Sequence, residues 1–320
     1  MAELSKKSVL HEVVGEEQAG QRIDNYLLKI LKGVPKSHVY RILRSGEVRV
    51  NSKRVEADYR LQENDQLRIP PVRTAQPAPT GVAAVTPRLA GAVLFEDEYL
   101  IALAKPAGMA VHGGSGVSFG VIEQMRRERP QAKFLELVHR LDRETSGVLL
   151  LAKKRSALTA LHGLIRSGKL DKRYLTLVRG EWREKKRSVT LSLHKYVTAE
   201  GERRVSVDAE GQEAHTIFRL QQNYPGYSLL EAELKTGRTH QIRVHLAYLG
   251  YPIAGDDKYG DFALNKELAR HGLKRMFLHA WKLAFPHPAS GETLRLEAPL
   301  PDELQRFLHG LKDRGRHETL

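Results

Sequence analysis

The chain contains no cysteine. That excludes disulfides and any metal site built on thiolates, and it fits a reducing cytoplasm. No apolar run approaches the roughly 20 residues needed to cross a bilayer. Residues Met1 to Gly15 lack the apolar centre of a secretory leader. A soluble cytoplasmic protein without a membrane role is therefore expected. Acidic charge is in deficit, with 38 Asp and Glu against 52 Lys and Arg, a net charge of +14. Such a surplus favours polyanionic partners, a nucleic acid above all.

Other signatures are missing too. Lys105-Pro106-Ala107-Gly108, followed by His112-Gly113-Gly114-Ser115-Gly116, has glycines that suit either close approach to a phosphate or a flexible loop. It has neither the Gly-Lys-Ser/Thr of a Walker loop nor the GxGxxG of a dinucleotide site. His240 and His245 are five residues apart and diverge by roughly 140° on a helix. The i, i+4 histidine pair of a zinc helix is absent, as is its Glu. Asp256-Asp257-Lys258-Tyr259-Gly260 has adjacent acids rather than the alternating ligands of a calcium loop, so a turn is expected there. The expectation is no metal and no small-molecule cofactor.

With 320 residues and a hydrophobic fraction of 41%, the chain has material for two domains. Ile23, Tyr26, Leu27, Ile30 and Leu31 recur at helical spacing, and Gly33 stops that helix. Pro35 opens a second, with Val39, Ile42 and Leu43 inside and Gly46 as its stop. Val48 to Val50 reads as a strand, Asn51 to Val55 as a turn into an extended piece, and Gln66 to Ile69 as a third strand. This small α+β unit, residues 20–70, carries Lys36, Arg41, Arg44, Arg49, Lys53, Arg54 and Arg60, a footprint suited to phosphates. Residues 71–92, rich in Pro, Ala, Thr and Gly, read as an extended linker.

Residues 93–310 alternate as strands: Val93–Phe95, Tyr99–Ala104, Val148–Ala152, Tyr174–Val178, Val205–Val207, Thr216–Leu220 and Leu229–Leu234. Ser156 caps a helix with Leu158, Leu161, Leu164 and Ile165 inside, and Thr239 caps one running to Leu249. Many strands with few helices between them predict an α+β domain whose sheet is mainly antiparallel.

Three segments carry candidate chemistry. His139-Arg140-Leu141-Asp142-Arg143-Glu144-Thr145-Ser146-Gly147 sets one carboxylate between two guanidinium groups, just before a strand. Neighbouring positive charge keeps such an acid ionised. A loop-fixing ion pair and a reactive carboxylate beside phosphate-binding arginines both fit the pattern. Tyr174, inside a strand, fits a packing role as well as a site role. Gly237-Arg238-Thr239-His240-Gln241-Ile242-Arg243-Val244-His245 opens a helix that buries Ile242, Leu246 and Leu249. It turns Arg243 either to a buried anion or to solvent.

Together, and in this order, these segments resemble the bacterial pseudouridine synthases of the large-subunit ribosomal RNA class. Residues 20–70 resemble an S4-type RNA-binding domain. Val111 to Gly116 and Phe119 to Glu123 narrow the resemblance to the family's C branch. The resemblance implies a pseudouridine synthase domain over residues 93–310, acting on uridines of 23S ribosomal RNA or of a pre-ribosomal particle. By position it implies that Asp142 is the essential carboxylate, Tyr174 the active-site tyrosine and Arg243 the partner of Asp142. It assigns Arg140 to the gap left in the RNA stack by the flipped base. The isomerisation exchanges no electrons, so no redox cofactor is implied, and nothing demands more than a monomer. A catalytically silent RNA-binding or ribosome-assembly protein, a synthase for other RNA sites, and a metal-dependent nuclease are the alternatives.

Overall fold

The computed structural model describes residues 5–6, 8–31, 33–74, 89–113 and 119–317. Two compact units result, Met1–Pro87 and Arg88–Leu320, each described by itself.

The first unit holds β1 (Ser5–Lys6), β2 (Leu10–Val13), α1 (Ile23–Ile30), α2 (Lys36–Arg44), β3 (Arg49–Val50), β4 (Gln66–Ile69) and β5 (Arg73–Thr74). Strands β2, β4 and β3 form an antiparallel sheet in that order, and β1 pairs with β5. The helical spacing works as expected: Ile23, Leu27, Val39, Ile42 and Leu43 are buried against Leu67 and Ile69. Each such side chain contributes about 1.5–3 kcal/mol on leaving water. One expectation fails. Asn51 and Ser52 both adopt left-handed φ, 49° and 65°, and Val50 bridges straight back to Lys53. The result is a tight turn, with no extended strand after it. Most of the expected linker, residues 75–88, lies outside the described residues. Its margins carry structure: β5 before it and a 3-10 turn at Leu89–Ala92 after it, with Leu89 buried.

The second unit is built on β6 (Val93–Glu96), β7 (Leu100–Lys105), α3 (Val121–Glu128), β8 (Glu136–Leu137), β9 (Ser146–Ala152), α4 (Arg155–Arg166), β10 (Asp171–Arg179), β11 (Lys186–Val197), β12 (Arg203–Val207), β13 (Gln212–Tyr224), β14 (Tyr227–Leu234), α5 (Gln241–Tyr248), α6 (Phe262–Arg270), β15 (Leu278–Pro286), β16 (Thr293–Glu297) and α7 (Asp302–His317). One mixed sheet runs β12-β11-β13-β14-β10-β15-β9-β7-β6, with β16 beside β15 and β8 beside β9. All its pairings are antiparallel except β9 with β15. The fold is α+β with a mainly antiparallel sheet, as expected.

The parallel pairing fixes the site. It is short, His279 with Ser146 and Ala280 with Gly147, and it brings the start of β9 against β15. Gly147 has φ 111°, and a Cβ there would lie 2.1 Å from the Ala280 carbonyl oxygen. Only glycine permits this approach.

Two helix starts differ from expectation. Ser156 does not cap α4; Lys154 is the capping position, and its side chain makes no bond to the helix's first N–H groups. Thr239 does not cap α5. His240 takes that place in a left-handed conformation, φ 53°, while the Gln241 side chain accepts from the Arg238 N–H at 2.9 Å. Helix α5 is enclosed on nearly all sides, with Arg243 and His245 buried beside Ile242 and Leu246, so the solvent-facing alternative for Arg243 is overturned. Leu249 is only partly buried.

Candidate active site

Asp142 sits in the loop that enters β9. The loop closes on itself where the Thr145 N–H donates to the Asp142 carbonyl at 3.1 Å. Its neighbour, the turn after β7, grips it from below. The Gly108 N–H donates to the Arg143 carbonyl at 2.9 Å, and Arg143 Nε returns a bond to the Gly108 carbonyl at 3.0 Å. Lys105, buried at the end of β7, donates to the carbonyls of Pro106, Met109 and Arg143 at 2.8, 2.8 and 3.1 Å. Burial pulls the Lys105 ammonium down to about 7. The other flank is tied to β15: Ser146 Oγ accepts from Arg275 at 2.8 Å and bonds His279 Nδ1 at 2.8 Å.

The carboxylate points into a cavity of about 350 Å3 lined by Arg140, Lys172, Tyr174, His240 and Arg243 among others. Its side chain keeps 21% of its surface exposed, whereas that of Arg243 keeps 4%. The guanidinium beside Asp142 is that of Arg243, with Nη1 3.4 Å from Oδ2. The two arginines flanking it in sequence play other parts. Arg143 turns to Gly108 and Glu144, and Arg140 is exposed on the cavity wall.

Arg243 has a stronger partner that the sequence did not reveal. Asp256, fully buried, takes a fork of two 2.7 Å hydrogen bonds from Nε and Nη2. The Asp256–Gly260 segment is the expected turn, but its first residue is an anchor. Asp256 Oδ1 also accepts from the N–H groups of Lys258 and Tyr259, at 2.8 and 3.1 Å. Burial alone disfavours the Arg243 charge; the bonds and charge of Asp256, with Asp142 and Asp257, more than reverse this and raise its pKa. A buried arginine requires a buried acid, and that rule was the only available signal for Asp256. Spacing gave none.

His240 completes the group. The Tyr259 hydroxyl accepts from the Val205 N–H at 3.0 Å and meets His240 Nδ1 at 2.8 Å. The other ring nitrogen, Nε2, faces Asp142 Oδ2 at 3.8 Å. Burial first, then Arg243 and Lys258, lower the His240 pKa against the opposing charges of Asp142 and Asp256, so the ring is neutral near pH 7.

Tyr174 lies on β10, opposite Ala232 on one side and Ala280 on the other. It is buried in the main core and also lines the cavity. Burial and then the Asp142 charge push its phenol well above the usual range.

The structure thus gathers Asp142, Tyr174, Arg243 and Arg140 around one cavity. The other expected binding residues belong to the first unit. Lys36, Arg41, Arg44, Arg49, Lys53 and Arg54 are all exposed. Arg41 pairs with Glu47 at 3.3 Å, and Arg49 donates to the Gly46 and Ser52 carbonyls. Among the described residues the side chains of Lys36, Arg44, Lys53 and Arg54 make no hydrogen bond or ion pair. In the glycine loop, the Gly113 N–H donates to the Glu123 carboxylate at 3.1 Å, which argues against an anion there; Gly114, Ser115 and Gly116 lie outside the described residues.

Comparison with known proteins matches this arrangement. Residues 99–248 fit the RNA pseudouridylate synthase family, and residues 21–67 fit the S4 domain. The chain is 53% identical to ribosomal large subunit pseudouridine synthase C of Pasteurella multocida (strain Pm70), over 94% of this chain and 93% of that protein. It is 51% identical to the protein of the same name in Escherichia coli (strain K12), over 96% and 98%. Among solved structures, human RNA pseudouridylate synthase domain containing 4 superposes with a TM-score of 0.58 at 25% identity, covering 70% of this chain and 94% of that one. A carboxylate loop at the mouth of β9, backed by the arginine of α5 on a mainly antiparallel sheet, is thus joined to close relatives along nearly the whole sequence, and the chain belongs to the RNA pseudouridylate synthase family of isomerases.

Proposed function

We propose that the chain converts uridines of 23S ribosomal RNA to pseudouridine, with Asp142 as the essential carboxylate. The observation that carries this is the state of Asp142: partly open to a cavity, 3.4 Å from a guanidinium that is itself buried and fixed. The relatives' names supply the substrate class; the cavity supplies the chemistry.

In the reaction the N1–C1′ bond breaks, the uracil turns, C5 bonds to C1′, and the C5 proton then leaves to solvent while N1 takes one up. Positive charge develops at the sugar as the glycosidic bond opens. Asp142 meets it, either by attacking C1′ or by removing the 2′ proton; both routes begin with the same carboxylate oxygen. Arg243 at 3.4 Å and His240 at 3.8 Å flank that oxygen, and the arginine aims it. Tyr174, a neutral phenol whose pKa is pushed further above its usual range, packs against the uracil face rather than acting as a free base. A base stacked in RNA must be flipped out at a cost of a few kcal/mol. Arg140, exposed on the rim, offsets part of that cost by entering the gap. The exposed cations of the S4 unit position the RNA by its phosphates and carry little sequence information.

The test is direct. Unmodified large-subunit ribosomal RNA, incubated with the protein and digested to nucleosides, should contain pseudouridine at a small number of positions. RNA that remains free of pseudouridine would overturn the proposal. Added chelator should leave the yield unchanged; strong inhibition would restore the metal-dependent alternative.

A further inference from the structure

Among the described residues, one half-buried cation of the cavity, Lys172, has no protein partner. Lys172 lies on β10 two residues before Tyr174, so both side chains project from the same face of the strand. Both line the cavity that holds Asp142. Among the described residues, the Lys172 ammonium makes no hydrogen bond and no ion pair. It is half-buried, and burial lowers its pKa. Its charge also reaches His139, where burial and Lys172 together press the imidazole down to about 4. Arg243, by contrast, is saturated by Asp256 and Asp142.

The surroundings suit an anion. Exposed Arg166, at the end of α4, and exposed Arg238, ahead of α5, line the same cavity. A Cβ at Gly237 would come within 3.3 Å of Lys172 Nζ. The missing side chain at position 237 leaves the ammonium accessible from that wall. A partly buried charge without a partner costs stability, so it persists where a ligand supplies the counter-charge. A uracil carbonyl is neutral and leaves the ammonium uncompensated. A phosphodiester carries a full negative charge on two free oxygens that accept from a lysine donor.

We propose that Lys172, with Arg166 and Arg238 at the rim, forms a subsite for the backbone phosphate flanking the flipped nucleotide. The subsite holds the ribose so that C1′ faces Asp142. This rests on the pseudouridine synthase reading above, and the experiment separates the two. Synthetic RNA containing a uridine that the protein modifies is prepared in three forms: unaltered, with a neutral methylphosphonate 5′ to that uridine, and with one 3′ to it. Pseudouridine formation is measured with the wild-type chain, Lys172→Met and Lys172→Arg.

One of the two methylphosphonates should raise the wild-type KM about tenfold, the scale of one charge-assisted contact. Lys172→Met should show a similar rise on unaltered RNA and no further rise on that methylphosphonate. Lys172→Arg should recover most of the loss. Thermal melting provides a second readout: Lys172→Met should melt no lower than wild type, because an unpaired charge has been removed. Equal additional losses for Lys172→Met on both methylphosphonates would overturn the subsite. So would an unchanged KM for Lys172→Met on unaltered RNA. Failure of wild type to modify the unaltered RNA would instead overturn the reading on which the subsite rests.

Discussion

Asp256 shows what one residue contributes beyond any motif. It fixes Arg243, which fixes Asp142, and it takes two backbone N–H groups as well. Removing one partner of a buried ion pair strands the other charge, at a cost of about 3–5 kcal/mol. Asp256→Ala should therefore lower the unfolding free energy by that order in a denaturant titration, and activity with it. A loss below about 1 kcal/mol would show that Arg243 finds another anchor. The motifs exposed Asp142, Tyr174 and Arg243 because each stands in a run of diagnostic residues. Asp256 stands in a turn with an ordinary local pattern, and its meaning comes from a contact thirteen residues away. The sequence likewise put two arginines beside Asp142, yet the one that reaches it is 101 residues distant.

Three histidines set an acid limit. His139, His245 and His279 are each pressed to about 4, chiefly by burial, while in an unfolded chain they titrate near 6.5. Between those values the unfolded chain binds more protons, so stability falls as pH drops from about 6.5 to 4. Above 6.5 and below 4 these three groups add no slope. The melting temperature should decline across that window, and His139→Gln should decline less steeply. Parallel curves for the two proteins would contradict this assignment for His139.

At the scale of elements, β9 and its meeting with β15 matter most. The apolar run from Val148 to Ala152 announced a central strand, and all seven residues of β9 are buried. What periodicity could not announce was its parallel partner, because β15 begins more than 120 residues later. The signal was Gly147, visible as a letter but not as a constraint. A methyl group there would meet the Ala280 carbonyl at 2.1 Å, and φ 111° is unfavourable for any other residue. Gly147→Ala should destabilise the protein by about 3 kcal/mol or more and displace the Asp142 loop five residues earlier. Near wild-type stability and activity would contradict the structural role given to that pairing. Strand β11 escaped the sequence reading because most of its residues are exposed, which erases the apolar alternation. The starts of α4 and α5 were misplaced because Ser156 and Thr239 match cap statistics while their side chains do not cap.

At the scale of the whole molecule, charge and domain order were legible early. The surplus of basic residues and the α+β unit ahead of the linker pointed to RNA, and the comparisons support an S4 domain over residues 21–67. No helix among the described residues is long and apolar enough to cross a membrane. Phosphate contacts release counterions, so affinity depends on salt in proportion to their number. A chain lacking residues 1–87 should bind ribosomal RNA more weakly, with a shallower slope of log affinity against log salt. An unchanged slope would show that Lys36, Arg44, Lys53 and Arg54 make no phosphate contact. Two modules on one chain also raise each other's effective concentration at the RNA, so deletion should weaken binding by the S4 unit's own association constant multiplied by that concentration.

The central claim concerns one carboxylate, and release of the uracil C5 hydrogen measures it. Large-subunit ribosomal RNA carrying tritium at uracil C5 should lose label to water with the wild-type chain. With Asp142→Asn the rate should fall by about a thousandfold or more, while the variant still folds and binds RNA. Release by Asp142→Asn at the wild-type rate would contradict the account.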